Sequence, residues 1–221
     1  MSRGRDDDAV SGERSGAAWE QDYRLRGERW GGAVHDLPSI SEGGCFLEVG
    51  CGNGKTLAAV ATKNTEVVGI DCSVTAIALA RKSVPPTTPL LVADARALPF
   101  TAGSYDTVCA FHVLGHMKKQ DRILAAVELS RVLRDGGSLF FRDFSTADMR
   151  YGKGMETEPA SYQRGDGIIT HYFTGEEIVD LFSMLIPVRV WTRTWTLRIR
   201  GTEHLRSEIE GIFKKKPPMP R

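Results

Sequence analysis

The stretch FLEVGCGNGKTLAAV, residues 46–60, sets a carboxylate, Glu48, in an apolar run and follows it with Gly50, Gly52 and Gly54. Glycines so spaced permit a tight turn and close approach of backbone to a ligand. A phosphate, a dinucleotide and a sulfonium cofactor would each suit such a strand-to-helix turn. A phosphate loop needs GxxxxGK followed by Ser or Thr; here Lys55 and Thr56 come at the wrong spacing after Gly50. A dinucleotide fingerprint reads GxGxxG, whereas this loop reads GxGxG. Two more acids end apolar runs, Asp71 after EVVGI and Asp94 after PLLVA. Carboxylates at successive strand ends make a crevice over the C-terminal edge of a parallel sheet, where such folds bind ligands. Each also has a plainer use. Asp71 and Asp94 could cap the segments that follow them, and Glu48, costly in an apolar strand unless partnered, could order the glycine turn.

The elements that must position these residues alternate along the chain. CFLEVG, EVVGID, PLLVADA, YDTVCAFHVLG and GGSLFFRDF read as strands. KTLAAVATK, SVTAIALARKSV and DRILAAVELSRVL read as the helices among them, the second with Ser73 as N-cap. That rhythm argues for a parallel sheet with helices on both faces. Residues 1–16 are polar and Gly-rich and are expected to be a disordered tail, and 17–44, with aromatics at 19, 23 and 30, an N-terminal cap. The ligand-binding core is expected over 45–143 and an insertion or lid over 144–173, where the rhythm breaks and four glycines (152, 154, 165, 167) suggest mobility. The rest of the domain follows over 174–213. It opens with a helix capped by Thr174 and Glu177, then the alternating run VRVWTRTWTLRIR and a last strand in EIEGIFKKK; a basic, Pro-rich tail occupies 214–221.

The 221 residues suffice for one sizeable core, and a net charge of +1 points to no partner by itself. The distribution is uneven: Arg189 to Arg221 holds nine Lys or Arg and three Glu. Cys45, Cys51, Cys72 and Cys109 form no CxxC pair and read as buried free thiols in a reducing, cytoplasmic compartment, with no metal site. The charged N-terminus lacks an apolar core, and no apolar run is long enough for a membrane span.

Five consecutive blocks resemble the class I S-adenosylmethionine-dependent methyltransferases: Glu48 with the GxGxG turn, Asp71, Asp94-Ala95, Phe111-His112, and LRDGGSLFFRD. The resemblance implies a Rossmann-like, mostly parallel seven-stranded α/β sheet and S-adenosylmethionine as cofactor. It implies that the glycine turn passes beneath the cofactor's amino-acid part, Asp71 binds the ribose hydroxyls and Asp94 faces the adenine amine. Cys51, Cys72, Ala95 and Phe111 would complete that wall.

Outside the core, FRDFSTADMRYGKG and YQRGDGIITHYFTGEEI resemble the tRNA 3-methylcytosine methyltransferases. The matching residues are Arg142-Asp143, Arg150-Tyr151, Tyr162, Arg164, Asp166-Gly167 and Tyr172-Phe173-Thr174. Trp19 and Tyr23 look like the aromatics that precede the core in that family; they close over cofactor or base, or else anchor an N-terminal helix. The implied reaction is methyl transfer to N3 of a cytosine in a tRNA loop. Alternatives are a protein or small-molecule acceptor, or a non-enzymatic binding module. Asp143, at a strand end, is the best candidate to accept from the cytosine amine. On an ideal strand Arg142 points away from it and would brace the lid, and His112 is a weaker candidate. Arg189, Trp191, Arg193 and Trp195 would share one strand face, to hold RNA or to pack as a sheet edge. Lys214, Lys215 and Lys216 are either a solvated tail or an RNA contact.

Overall fold

Alternation in β1 (Cys45–Val49) sorts the fold into two faces. Leu47 and Val49 join a core with Ala125, Ala126 and Leu129 of α4 (Lys119–Val132) and Ile178 of α5 (Gly175–Leu181). Phe46 packs on the other face against Leu57 and Val60 of α2 (Lys55–Val60) and Ala80 of α3 (Val74–Ser83). The computed structural model describes residues 6–27, 37, 43–61, 65–165 and 167–217; Trp30 and Asp166 lie outside the described residues.

Parallel pairing joins β1 to β2 (Glu66–Asp71) and to β4 (Tyr105–Phe111), β2 to β3 (Leu90–Val92), and β4 to β5 (Leu133–Phe144). β10 (Thr202–Lys214) and β9 (Ile186–Ile199) add antiparallel strands, giving a seven-stranded sheet of order β3-β2-β1-β4-β5-β10-β9. Strand order reverses between β1 and β4, which opens a crevice at their C-terminal ends. β5 ends at Phe144, opposite Glu208. Thr202 to Ser207 and their β9 partners therefore run past the sheet edge as a two-stranded ribbon, about 20 Å long at the usual rise per residue.

Several boundaries differ from the sequence reading. α1 (Asp6–Arg26) begins inside the segment expected to be disordered; once a turn is anchored, extending a helix costs less than starting one. Residues 144–173 hold a three-stranded antiparallel sheet, β6 (Met155–Glu158), β7 (Ser161–Gln163) and β8 (Ile169–His171). This small sheet is tied down. Glu158 accepts from the Lys119 amide at 3.0 Å, and His116 Nδ1 meets the Ile169 carbonyl at 2.8 Å. A relay runs from the buried Ser161 and His171 to the half-buried Glu177, at 2.8 and 2.7 Å. The cysteines are all free, but only Cys51 and Cys109 are buried; Cys45 is half-buried and Cys72 exposed.

Candidate active site

The glycine turn is held from below. Both the Gly50 and Cys51 amides donate to the Ile70 carbonyl at 2.8 Å, and Gly50, Gly52 and Gly54 all adopt positive φ. A Cβ on Gly50 would lie 2.2 Å from Val113 Cγ2, and one on Gly52 2.7 Å from the Tyr23 hydroxyl, so the turn has room for no side chain there. Above it opens a cavity of about 1030 Å³.

Four acids, Glu48, Asp71, Asp94 and Asp121, line one end of this cavity. Glu48 is buried, and burial pushes its carboxyl up to about 8 against weaker hydrogen bonds from Thr56 and Leu57. Its Oε2 has no hydrogen-bond partner among the described residues. Asp71 accepts from the Gly52 amide and the Ser73 amide, each at 2.9 Å. Burial raises its pKa in spite of these bonds. The carboxylate thus builds the turn as well as lining the cavity, and its part in the cap of α3, offered above as an alternative, is real. Asp94 is gripped by Arg96, with Nη2 at 2.6 Å, and Arg96 Nη1 reaches Asp121 at 2.9 Å. Cys51, Cys72, Ala95 and Phe111 line the same cavity.

α1 closes that end with Gly16, Trp19 and Tyr23. Its anchor is Glu20, unremarked in the sequence. The Glu20 carboxylate accepts from Ser73 Oγ (2.6 Å), Thr75 Oγ1 (2.7 Å) and the Thr75 amide (3.1 Å), and these bonds lower its pKa to about 2. Trp19 packs edge-on to His116, with centroids 4.7 Å apart. Covering the cavity and anchoring the helix are therefore one role rather than alternatives.

The other end is built from arginines: Arg142, Arg150, Arg164, Arg193 and Arg206, with Phe144 and Trp195. Asp148, 3% exposed, receives Arg150 Nε and Arg206 Nε at 2.8 Å each, and both guanidiniums lie over the Phe144 ring, at 3.8 and 5.3 Å. Register places Trp191, Arg193 and Trp195 opposite Glu210, Glu208 and Arg206, so they share one face as alternation requires. Tyr151 meets Tyr162 and Tyr172 edge to face, at 5.5 and 5.7 Å, and Tyr162 and Tyr172 lie tilted at 6.1 Å, behind the cavity rather than in its lining.

Two expectations are corrected. Asp143 does not line the cavity: it is fully buried, accepting from the Gly115 amide at 2.8 Å and the Phe144 amide at 2.9 Å. Strand parity turns it toward the α4 and α5 face, while Arg142 faces the cavity, stacked 4.7 Å over Phe111 and bonded to Glu210 at 3.0 Å. The lysines 214–216 lie at the wrong end of the sheet, since Lys214 pairs with Ser138 near the start of β5. Lys215 Nζ is spent on the carbonyls of Leu133 (2.7 Å) and Arg131 (3.2 Å).

Between the two ends sits His112, at φ 56 after β4. Its Nε2 is 3.2 Å from Glu208 and its Nδ1 3.8 Å from Asp143. Burial opposes its charge, but the two carboxylates outweigh it and raise the imidazole to about 9. Sequence reading missed Glu208 and Arg206. Their signal was the alternation LRSEIEGIF, which sets Arg206, Glu208 and Glu210 on one face. Among the described residues no cluster suits a metal ion, and no helix is long and apolar enough to cross a membrane.

Residues 47–141 match the family model of a methyltransferase domain. Fold and match define the class: residues 47–141 form a methyltransferase domain, on the class I S-adenosylmethionine-dependent methyltransferase fold. A solved methyltransferase of this kind from Methanosarcina mazei aligns with a TM-score of 0.66 over 81% of this chain and 95% of its own, at 25% identity. More particularly, the chain is homologous to the METTL2 group of tRNA N3-cytidine methyltransferases. It is 31% identical over 165 residues to METTL2 of Gallus gallus, covering 68% of this chain and 45% of that protein. With Mettl2 of Drosophila melanogaster it shares 31% over 190 residues, covering 77% and 58%. The chain spans about half the length of the curated relatives it matches. S-adenosylmethionine is the cofactor this fold takes, and the residues fit it: a glycine cradle that a Cβ would fill, and a buried Glu48 oxygen in need of a donor.

Proposed function

We propose that the chain methylates N3 of a cytosine in an unpaired loop of tRNA. The observation that carries the reading is the arginine-rich, aromatic-floored end of the cavity, which suits a phosphate chain and a flat base. Homology to the tRNA methyltransferases supports it. When bound, S-adenosylmethionine supplies an electrophilic methyl group on a sulfonium. Glu48 receives the ammonium of its amino-acid part, which restores the carboxylate that burial disfavours. Asp71 keeps lone pairs for the ribose hydroxyls beyond its two amide bonds, and Asp94 accepts from the adenine amine. Trp19 and Tyr23 shut out water.

Arg150, Arg164, Arg193 and Arg206 hold the nucleotide, with Tyr151, Tyr162 and Tyr172 backing Phe144. Cytosine N3 has an in-plane lone pair, so placement in line with the methyl carbon suffices without a strong base. The experiment is nucleoside mass spectrometry after reaction with unmodified tRNA, with 3-methylcytidine as the expected product. Strong labelling of protein, with no 3-methylcytidine in any tRNA tested, overturns the reading in favour of a protein acceptor.

A further inference from the structure

A carboxylate stands at the arginine end of the cavity, and its place raises a question of purpose. Glu48, Asp71, Asp94 and Asp121 line the glycine-turn end, and among the described residues Glu208 is the one acid of the lining set among the arginines, Asp148 being buried behind them under Arg150 and Arg206. Of the other acids nearby, Asp143 is fully buried under two backbone amides. Glu210 is 3% exposed and carries Arg142 Nη2 at 3.0 Å. Glu208 has one oxygen 3.2 Å from His112 Nε2, while its other oxygen is 4.0 Å from Arg142 Nε, beyond hydrogen-bond range. His112 is fixed in turn by its amide bond to the Arg142 carbonyl (2.8 Å), by the Phe144 ring (4.6 Å between centroids) and by Asp143 behind it.

We propose that Glu208, held in place by His112, accepts the N4 amino hydrogen of the target cytosine and is the residue that selects cytosine over uracil. This inference rests on the cytosine reading above. A carboxylate suits the cytosine amine and repels the uracil O4. The N3 lone pair forms the bond to the methyl carbon as the carbon–sulfur bond breaks, its electrons staying on sulfur, and the base becomes a 3-methylcytidine cation. No proton has to move. The positive charge spreads to N4, so the hydrogen bond to Glu208 is stronger in the transition state than with the neutral base, as rate enhancement requires. His112 is a positioning residue: its imidazolium aims Glu208 and does not touch the base.

The test compares the full chain with Glu208→Gln and Glu208→Ala on unmodified tRNA. Turnover should fall about 100-fold, with affinity for S-adenosylhomocysteine changed less than about twofold. His112→Asn should lower kcat about 10-fold and leave KM for tRNA unmoved. A second readout needs no turnover. Calorimetry with S-adenosylhomocysteine present should show wild type preferring 3-methylcytidine 5′-monophosphate to cytidine 5′-monophosphate, and Glu208→Gln losing that preference. If Glu208 merely balances the arginines, its variants lose stability or tRNA affinity but keep kcat and the preference. Wild-type 3-methylcytidine formation with unchanged kcat in Glu208→Gln overturns the inference and leaves the cytosine reading standing. Absence of 3-methylcytidine from wild-type reactions overturns both.

Discussion

The two ends of the cavity are made in opposite ways. The glycine-turn end comes from residues that each close a strand and enter a turn, so chain order and spatial order nearly coincide: Glu48 to Gly54, then Asp71, then Asp94. Its charge is acidic and its geometry is backbone geometry. The arginine end gathers Arg142 from β5, Arg150 and Arg164 from the loops beside the small sheet, Arg193 from β9, and Arg206 and Glu208 from β10, and its geometry is that of side-chain pairs. Local turns need only the right residue types, whereas the far end needs the register of β9 on β10 and of β10 on β5. A sheet can therefore keep one end and rebuild the other, which is how one fold serves many acceptors.

Substitutions should separate the two ends. Gly50→Ala sets a Cβ against Val113 at a residue with φ 74. Calorimetry should show affinity for S-adenosylhomocysteine falling about 100-fold, while tRNA affinity in a filter assay holds. Loss of both would mean that the ends are one cooperative unit. Arg206→Ala should do the reverse. It should weaken tRNA binding about 10-fold and flatten the log–log salt dependence by about 1, with cofactor affinity unchanged.

Smaller effects sharpen the boundary. Lys214→Gln and Lys216→Gln should leave tRNA affinity and its salt slope as they are, because both lysines lie at the far end of the sheet. A clear loss in the same filter assay would extend the RNA surface around the molecule. Lys215→Met should instead cost about 1 kcal/mol in urea unfolding, by freeing the Arg131 and Leu133 carbonyls. Acid should act on the glycine-turn end through Glu20, whose folded pKa is lowered from 4.5 to about 2. That stabilisation is complete above pH 4.5 and fades as pH falls toward 2. The melting-temperature gap between wild type and Glu20→Gln should therefore narrow across that window; a gap constant with pH would remove the assignment.

The fold and the glycine-turn end were largely legible in the sequence for this reason of locality. Strands and their terminal acids declare themselves within a few residues, and Ser73 and Thr174 cap the helices they were expected to cap. What escaped depends on parity and pairing. One residue of alternation hides Asp143 and presents Arg142. The lysines at 214–216 stayed open between a solvated tail and an RNA contact until their register with β5 placed them at the other end. Glu208 opens a run read only as a last strand and Arg206 stands just before it; their charges find a purpose only where folding sets His112 against Glu208 and Asp148 against Arg206. Glu20 was invisible because its partners are more than 50 residues away.

Glu20 has one more consequence, and it concerns time. Each turnover must exchange spent cofactor for fresh, and α1, which carries Trp19 and Tyr23 over that end of the cavity, is latched to the start of α3 by the bonds of one carboxylate. A latch of this kind slows departure more than arrival, because the bonds must break before the helix can swing but need not form before the ligand enters. Loosening it should shorten the residence of the product cofactor with little change in how fast new cofactor is captured, an effect on time from a residue that lies outside the cavity lining.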